Sequence, residues 1–275
     1  TLMLVAGISL VLPDAVAGAM CGTGVLQAVG PMGTRAVILR FFGLLALSVW
    51  KVLESLNRSR PEAFLTATAA RVLAAAAPVV VLALFDSARA MWSIDFGRPV
   101  DCCAAVYDPV YGPGAGDELV SDRVWVFCFS ALTGLLAAAA VIVRRGGRGV
   151  RRRWGAALAA LTLVWVASAA ASLVNVFSAY IFGVLAHDCP WCLFLPEHGM
   201  VGFIQFGALA LAAGEGAAAP AASMAAAAHP PLLAPAAVRM KAAAGRILWA
   251  MAVFCLSAVG PALLWRLRHG VWISG

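Results

Sequence analysis

Long apolar stretches separated by short polar segments run along the whole chain. Most of these stretches approach or exceed the roughly 20 residues that an α-helix needs to cross a bilayer. The alternation therefore predicts an all-α, polytopic helical membrane protein with about seven transmembrane helices. The predicted spans are 1–30, 35–54, 64–85, 124–143, 156–185, 200–213 and 247–264.

The same pattern divides the chain into four parts. Residues 1–63 are predicted to hold the N-terminal transmembrane helices, and residues 64–213 a four-helix core with a long outer loop at 86–122. Residues 214–245 are rich in Ala and Pro and are interpreted as an exposed or partly ordered linker. Residues 246–275 carry the C-terminal transmembrane helix.

Composition supports this class. Hydrophobic residues make up 63% of the chain and charged residues 12%, whereas soluble domains carry about 25% charged residues. The mean hydropathy is +0.92. A soluble globular protein is thereby excluded, and membrane lipid is the expected surrounding of the apolar spans.

The net charge of +7 is concentrated in one short segment between two apolar spans. Its six arginines are Arg144, Arg145, Arg148, Arg151, Arg152 and Arg153. Such a cluster is typical of a cytoplasmic loop, so we interpret it as a topology signal and expect no nucleic-acid partner. With this loop cytoplasmic, strict alternation of the spans brings thirteen of the twenty Lys and Arg residues to the same side.

The seven cysteines fall into two groups. Cys21, Cys128 and Cys255 lie in apolar runs, where a thiol usually behaves as a small hydrophobe. Four others lie in or beside polar loops: Cys102, Cys103, Cys189 and Cys192. The predicted topology puts all four on the non-cytoplasmic side of a bacterial-type inner (plasma) membrane, where disulfides form and persist.

Cys189 and Cys192 form a C-x-x-C motif. Two thiols at this spacing can close a small disulfide ring, and a helix N-terminus would lower the pKa of the first thiol. The motif is expected either at the start of span six or on a short interfacial turn before it. The vicinal pair Cys102–Cys103 can close only a strained eight-membered ring, so we expect its disulfide to be easily reduced or its thiols to use separate partners.

The order of these features resembles the vitamin K epoxide reductase family of membrane oxidoreductases and the related logic of membrane disulfide-forming enzymes. Over residues 64–214 the order is a helix, an outer loop with a cysteine pair, a helix, a basic inner loop, a helix, and then C-x-x-C before a fourth helix. The resemblance implies that Cys189 and Cys192 face a membrane quinone. It also implies that Cys102 and Cys103 shuttle electrons to a thioredoxin-like extracytoplasmic partner, although here they are adjacent rather than separated.

A quinone headgroup would need apolar and aromatic contacts beside the C-x-x-C motif. Trp191, Phe194 and His198 are the candidates for these contacts. Aromatic residues at a membrane interface are also expected without any ligand, so both interpretations stay open.

The predicted function is an integral membrane thiol–disulfide oxidoreductase coupled to a quinone. One alternative is a soft-metal protein that binds or transfers copper or zinc through the cysteines with His198 and His187. Another is a structural subunit of a larger membrane complex, in which Cys102 or Cys103 is permanently bonded to Cys189 or Cys192.

Overall fold

The fold is described from a computed structural model, which covers residues 1–100, 121–146, 152–184, 187 and 189–273. Over these ranges the regular elements are all helices, and no strand occurs in them. Six helices are long and apolar enough to cross a membrane, and a shorter apolar helix precedes them. The predicted all-α, polytopic membrane class is confirmed.

The eight principal helices are named here in chain order. They are α1 (Leu2–Ala15), α2 (Gly22–Val29), α3 (Pro31–Asn57), α4 (Thr66–Trp92), α5 (Asp122–Arg145), α6 (Arg153–Phe182), α7 (Val201–Ala228) and α8 (Leu233–His269).

The N-terminal segment is not the single kinked span that we predicted over residues 1–30. Helix α1 ends at Ala15, and Gly18 follows in the connecting segment with a φ of +76°. Helix α2 ends at Gly30, whose φ is +73°, and Pro31 then begins α3. Glycine tolerates these backbone angles and proline suits a first helical turn. Two short helices therefore replace one span.

The Ala/Pro-rich segment is helical, which corrects the linker predicted over 214–245. Helix α7 continues to Ala228, a short turn spans Pro230–Leu232, and α8 begins at Leu233. Alanine has the highest helix propensity of all residues. Many of these alanines are buried between helices, so the low-complexity sequence forms a contact surface.

Four helices pack in a closed ring, but they are not the four predicted from residues 64–213. Helix α5 packs against α6, α6 against α7, α7 against α8, and α8 against α5. Helix α4 packs chiefly against α3, and α3 against α7. Helix α8 therefore occupies the position in the ring where the predicted four-helix core had α4.

Polar contacts inside the apolar region hold α4 to α3. Arg35 donates from Nε and Nη2 to the two carboxylate oxygens of Asp86, each at 2.6 Å, and Asp86 is buried. Arg40 donates to the Ser87 hydroxyl at 2.8 Å. Charged groups in a membrane span are costly unless they are paired. This pairing explains how α3 and α4 tolerate Arg35 and Asp86.

The two ends of the helix bundle differ in chemistry. At one end Arg60 Nε donates to the carbonyl oxygen of Pro231 at 3.1 Å, which joins the α3–α4 turn to the α7–α8 turn. We call this the basic end, because Arg144 and Arg145 close α5 there. The opposite end carries α1, α2 and the C-x-x-C motif, and we call it the thiol end.

The close contact of α6 with α7 predicts that an alanine substitution destabilises the protein at one glycine of α7 and not at another. A Cβ added at Gly216 would lie 2.7 Å from Thr162 Cβ, whereas nothing lies within 4 Å of one added at Gly207. We expect Gly216→Ala to lower the free energy of unfolding by about 1–3 kcal/mol through overpacking. Gly207→Ala should be neutral or stabilising because alanine favours a helix. Thermal unfolding of the two purified variants in detergent would measure both changes in stability. Equal losses of stability in the two variants would contradict the close packing at Gly216.

Candidate functional site

Three cysteine sulfurs meet at the thiol end. The Sγ atoms of Cys21, Cys189 and Cys192 all lie within 4.8 Å of one another, and those of Cys21 and Cys189 are 3.6 Å apart. We call this group the three-cysteine cluster. Its residues are 2%, 6% and 8% exposed, and no disulfide joins the described cysteines. The cluster is a buried set of thiols drawn from distant parts of the chain.

The C-x-x-C motif lies on a tight turn rather than at the start of a long helix. The backbone N–H of Cys192 donates to the carbonyl oxygen of Cys189 at 3.3 Å. A short 3-10 helix then spans Cys192–Phe194, and α7 begins only at Val201. Of the two settings predicted from the sequence, the structure has the short turn. Helix α7 cannot therefore supply its N-terminal dipole directly to Cys189.

A different helix supplies that dipole. Cys21 immediately precedes α2, and its carbonyl oxygen accepts from the backbone N–H groups of Gly24 and Val25. Thr23, in the first turn of α2, places its hydroxyl 3.0 Å from Cys189 Sγ. The positive end of a helix dipole stabilises a nearby anion. Helix α2 thus contributes both a hydroxyl donor and its N-terminus to the cluster.

Glycine at position 22 permits this approach. A Cβ there would lie 2.6 Å from the six-membered ring of Trp191 and 3.1 Å from Ile8. Any larger residue would push Trp191 away from α2. The half-buried Trp191 packs against the three-cysteine cluster together with Phe182 and Leu195.

The electrostatics favour a single thiolate, on Cys189. Hydrogen bonds from the Cys192 and Cys21 thiols are the main causes that hold the pKa of Cys189 well below its usual range. The Thr23 hydroxyl and the Cys192 backbone N–H act in the same direction, and together they outweigh burial. The hydrogen bonds to Cys189 and Cys21, together with burial, raise the pKa of the Cys192 thiol. These shifts favour the thiolate, the nucleophilic form, on Cys189 and the protonated thiol on Cys192 beside it.

Two imidazoles border the cluster through a shared aromatic ring. The ring of Phe182 contacts those of His187 and His198, with centroids 4.5 Å and 4.6 Å apart. Burial is the main cause that lowers the pKa of His187, the proximity of His198 adds to it, and the proximity of Cys21 opposes it. His187 is thus neutral at pH 7. Neither histidine belongs to the compact ligand group that the described residues form, which consists of the three sulfurs.

Two of the three predicted quinone contacts, Trp191 and Phe194, lie beside each other, whereas the ring of His198 contacts Phe182. Trp191 and Phe194 have ring centroids 5.7 Å apart. Phe194 is buried and packs against Phe203 at 4.9 Å and Phe206 at 5.4 Å, both on α7. The aromatic contacts connect the three-cysteine cluster to the first turns of α7.

Cys102 and Cys103 lie outside the described residues. Val100, the last residue before that segment, donates its backbone N–H to the carbonyl oxygen of Ala17 at 2.9 Å. Its carbonyl oxygen lies against Gly18. The described start of the outer loop, up to Val100, is therefore joined to the segment that leads to Cys21.

Sequence reasoning missed two residues of the site, Cys21 and Thr23. Cys21 was interpreted as a small hydrophobe in an apolar run, and it is indeed buried, but its sulfur contacts another sulfur. Glycines at 18, 22 and 24 were the available signal, since such density in an apolar segment indicates turns and close approaches rather than a continuous span. Cys128 is exposed and Cys255 half-buried, and neither belongs to the cluster.

Comparisons of the chain with models of protein families, with curated proteins and with solved structures find no match. Three sulfurs, one of them a stabilised thiolate, can exchange disulfides or ligate a soft metal ion.

The hydrogen bond from Thr23 predicts a pH-dependent defect. A hydrogen bond to a charged group contributes about 1.5–3 kcal/mol, so Thr23→Val should raise the pKa of Cys189. Below that pKa the thiol is protonated and unreactive. Because the pKa of Cys189 is lowered to about 3, the defect should appear just above that value: alkylation of Cys189 by iodoacetamide should slow at pH 4 in the variant and approach the wild-type rate at pH 7.

Site-resolved mass spectrometry of the alkylated protein would measure both rates. Thr68→Val, at an exposed position on α4, is the matched control and should react like the wild type. An unchanged rate for Thr23→Val at pH 4 would show that the hydroxyl does not stabilise the thiolate.

Proposed function

We propose that this chain is an integral membrane thiol–disulfide oxidoreductase in which Cys189 is the attacking thiolate. The observation that carries the proposal is the set of donors around Cys189 Sγ: the Cys21 and Cys192 thiols and the Thr23 hydroxyl. A thiolate is the nucleophile in disulfide exchange, and neighbouring donors make it available at neutral pH. A thiol without a redox or ligand role needs no such arrangement.

A quinone is the proposed electron acceptor. The Cys189 thiolate and the Cys192 thiol would lose two electrons and join in a disulfide. The quinone would take up those electrons, the proton released by Cys192 and one further proton from solvent to become a quinol. Trp191, Phe194 and His198 are the proposed contacts, supported by the packing of Trp191 on the cluster.

The burial of the cluster favours an intramolecular shuttle. Since all three cysteines are less than a tenth exposed, a folded partner protein would not reach their sulfurs directly. We infer that a thiolate of Cys102 or Cys103 attacks the Cys189–Cys192 disulfide. Its neighbour then displaces the motif cysteine that remains in the mixed disulfide, which leaves Cys102–Cys103 oxidised and both motif thiols reduced. A thioredoxin-like extracytoplasmic protein would exchange with the Cys102–Cys103 pair.

The close third sulfur gives the cluster a further exchange step. Cys21 Sγ lies 3.6 Å from Cys189 Sγ, so a Cys21 thiolate could displace Cys192 from the Cys189–Cys192 disulfide. One disulfide would break as another forms, with no net change in oxidation state. The disulfide could move from one pair of cysteines to another within the cluster in this way.

The proposed location is a bacterial-type inner membrane with the thiol end on the non-cytoplasmic side. The positive-inside rule supports it, because the basic end carries the arginines that close α5 and those near the start of α6. Disulfide chemistry also requires an oxidising compartment.

A second candidate function is the binding or transfer of a soft metal ion. Two thiolates on a tetrahedral zinc, with Zn–S bonds of about 2.3 Å, lie about 3.8 Å apart. The 3.6 Å between the sulfurs of Cys21 and Cys189 is close to that separation. Three thiolates would also suit monovalent copper.

Thiol trapping in cells tests the redox proposal. Free thiols would be tagged with a mass-shifting alkylator, with and without quinone depletion, and the tagged cysteines counted by gel shift. We expect quinone depletion to leave Cys189 and Cys192 largely reduced. Cys255→Ser, outside the cluster, should leave this shift unchanged. If quinone depletion does not change the redox state of the outer cysteines, the oxidoreductase proposal is wrong.

Cys21→Ser separates the redox function from the metal function. In a redox protein Cys189 and Cys192 can still form their disulfide, so the quinone-dependent shift should survive the substitution. In a metal protein one of three ligands is lost, so the copper or zinc bound per chain should fall at least about tenfold. Elemental analysis of the purified variants, with Cys128→Ser as the control, would measure this loss.

A further inference from the structure

A charged cavity lies between apolar helices, toward the basic end of the bundle and away from the three-cysteine cluster. Its volume is about 530 Å³, and residues of α3, α7 and α8 line it. Within the described part of the chain, helix α7 packs closely against both neighbours, whereas α3 and α8 have little or no contact with each other. The cavity is therefore a half-open groove with α7 as its floor.

The positive and negative charges that line this groove do not cancel. Glu215, at the floor, accepts from Arg239 Nη1 at 2.7 Å and from Arg246 Nε at 2.7 Å and Nη2 at 3.1 Å. The Glu215 side chain is 12% exposed and that of Arg239 is 19% exposed. Lys51 lines the same groove and forms no ion pair with described residues. Three cations and one carboxylate leave two positive charges in excess.

The groove lies at the edge of the apolar layer. Residues 247–265 of α8 are uncharged and span about 28 Å at 1.5 Å per residue. The hydrocarbon core of a bilayer is about 30 Å thick. If this run crosses the core, Arg246 lies at its boundary on the basic end and Arg266 at the opposite boundary. Arg246 and the rest of the groove are then level with the lipid headgroups of one leaflet.

Unbalanced positive charge at this depth needs an anion. Arginine forms paired hydrogen bonds to phosphate oxygens, and lysine binds phosphate as a point charge. The hydroxyls of Ser48 and Ser55 line the same groove as further polar groups, and Leu211 and Val52 provide apolar walls. A ligand with a phosphate head and apolar chains matches this combination of linings.

We propose that the groove between α3, α7 and α8 binds the phosphate of an anionic membrane phospholipid. Lys51 and Arg246 contact the phosphate, Arg239 keeps Glu215 neutralised, and the acyl chains follow the open side between α3 and α8. The lipid would then join α3, and α4 with it, to the ring of α5–α8. This site is independent of the thiol chemistry at the other end.

Native mass spectrometry of the full chain in detergent tests the proposal. The protein would be titrated with phosphatidylglycerol, with phosphatidylcholine as the neutral headgroup control. We expect preferential binding of phosphatidylglycerol. Each basic residue near an anionic lipid surface contributes about 1 kcal/mol, which corresponds to about fivefold in affinity. Lys51→Gln should therefore weaken binding about fivefold, and Arg246→Lys, which keeps the charge, should weaken it less.

The matched control is Arg268→Gln, at the thiol end of α8, which should bind like the wild type. Both Lys51 and Arg268 are exposed, so these substitutions leave the packed core intact. Equal binding of the two lipids, or wild-type affinity in Lys51→Gln, would overturn the proposal. Binding of inorganic phosphate alone at the groove, with no preference between the lipids, would overturn the lipid assignment and identify a free-anion site.

Discussion

Helix α7 can touch α3, α6 and α8 at once because its contact faces carry almost only small residues. Ala208, Ala212, Ala213 and Ala222 are buried there, and Gly216 lies directly against Thr162. In a membrane, where lipid is as apolar as a leucine side chain, close backbone approach and the resulting van der Waals contact hold helices together. The rest of the fold depends on this narrow helix. A bulkier α7 would separate three neighbours at once.

Close backbone approach at small residues also joins α7 to the C-x-x-C turn of the three-cysteine cluster. A Cβ at Gly202, in the first turn of α7, would lie 2.9 Å from the backbone of Leu193. The turn after Cys192 can therefore rest directly on the helix. Gly22 does the same for Trp191 on the α2 side. Close approach at two glycines thus accompanies the meeting of distant cysteines, where hydrogen bonds from Cys192, Cys21 and Thr23 lower the pKa of Cys189.

The chemistry of the molecule is divided between its ends. Thiols and aromatic rings gather at the thiol end, while Arg239, Arg246 and Lys51 surround a groove toward the basic end. The ring of α5–α8 lies between them and its core contains Trp165 and Phe254, both fully buried. Electron transfer and lipid binding, as proposed, would therefore act on one rigid core without sharing residues.

Much of the architecture was predictable from local pattern. The long apolar runs predicted the spans of α3 to α6, because a bilayer dictates helix length and requires internal backbone hydrogen bonds. Residues 214–245 were misinterpreted, because an alanine-rich segment has the composition of a linker but the propensity of a helix. The exclusion of α4 from the ring could not be predicted, since order along the chain does not determine which helices pack together.

The sequence by itself determined the helical membrane class and singled out Cys189 and Cys192, because hydropathy and C-x-x-C spacing are local properties. Only the tertiary structure decided that Cys21 and Thr23 belong to the site. They lie more than 160 positions away in the chain, and their contacts with Cys189 depend on how α2 packs against the motif. The site is therefore a property of packing, although its central motif is a property of sequence.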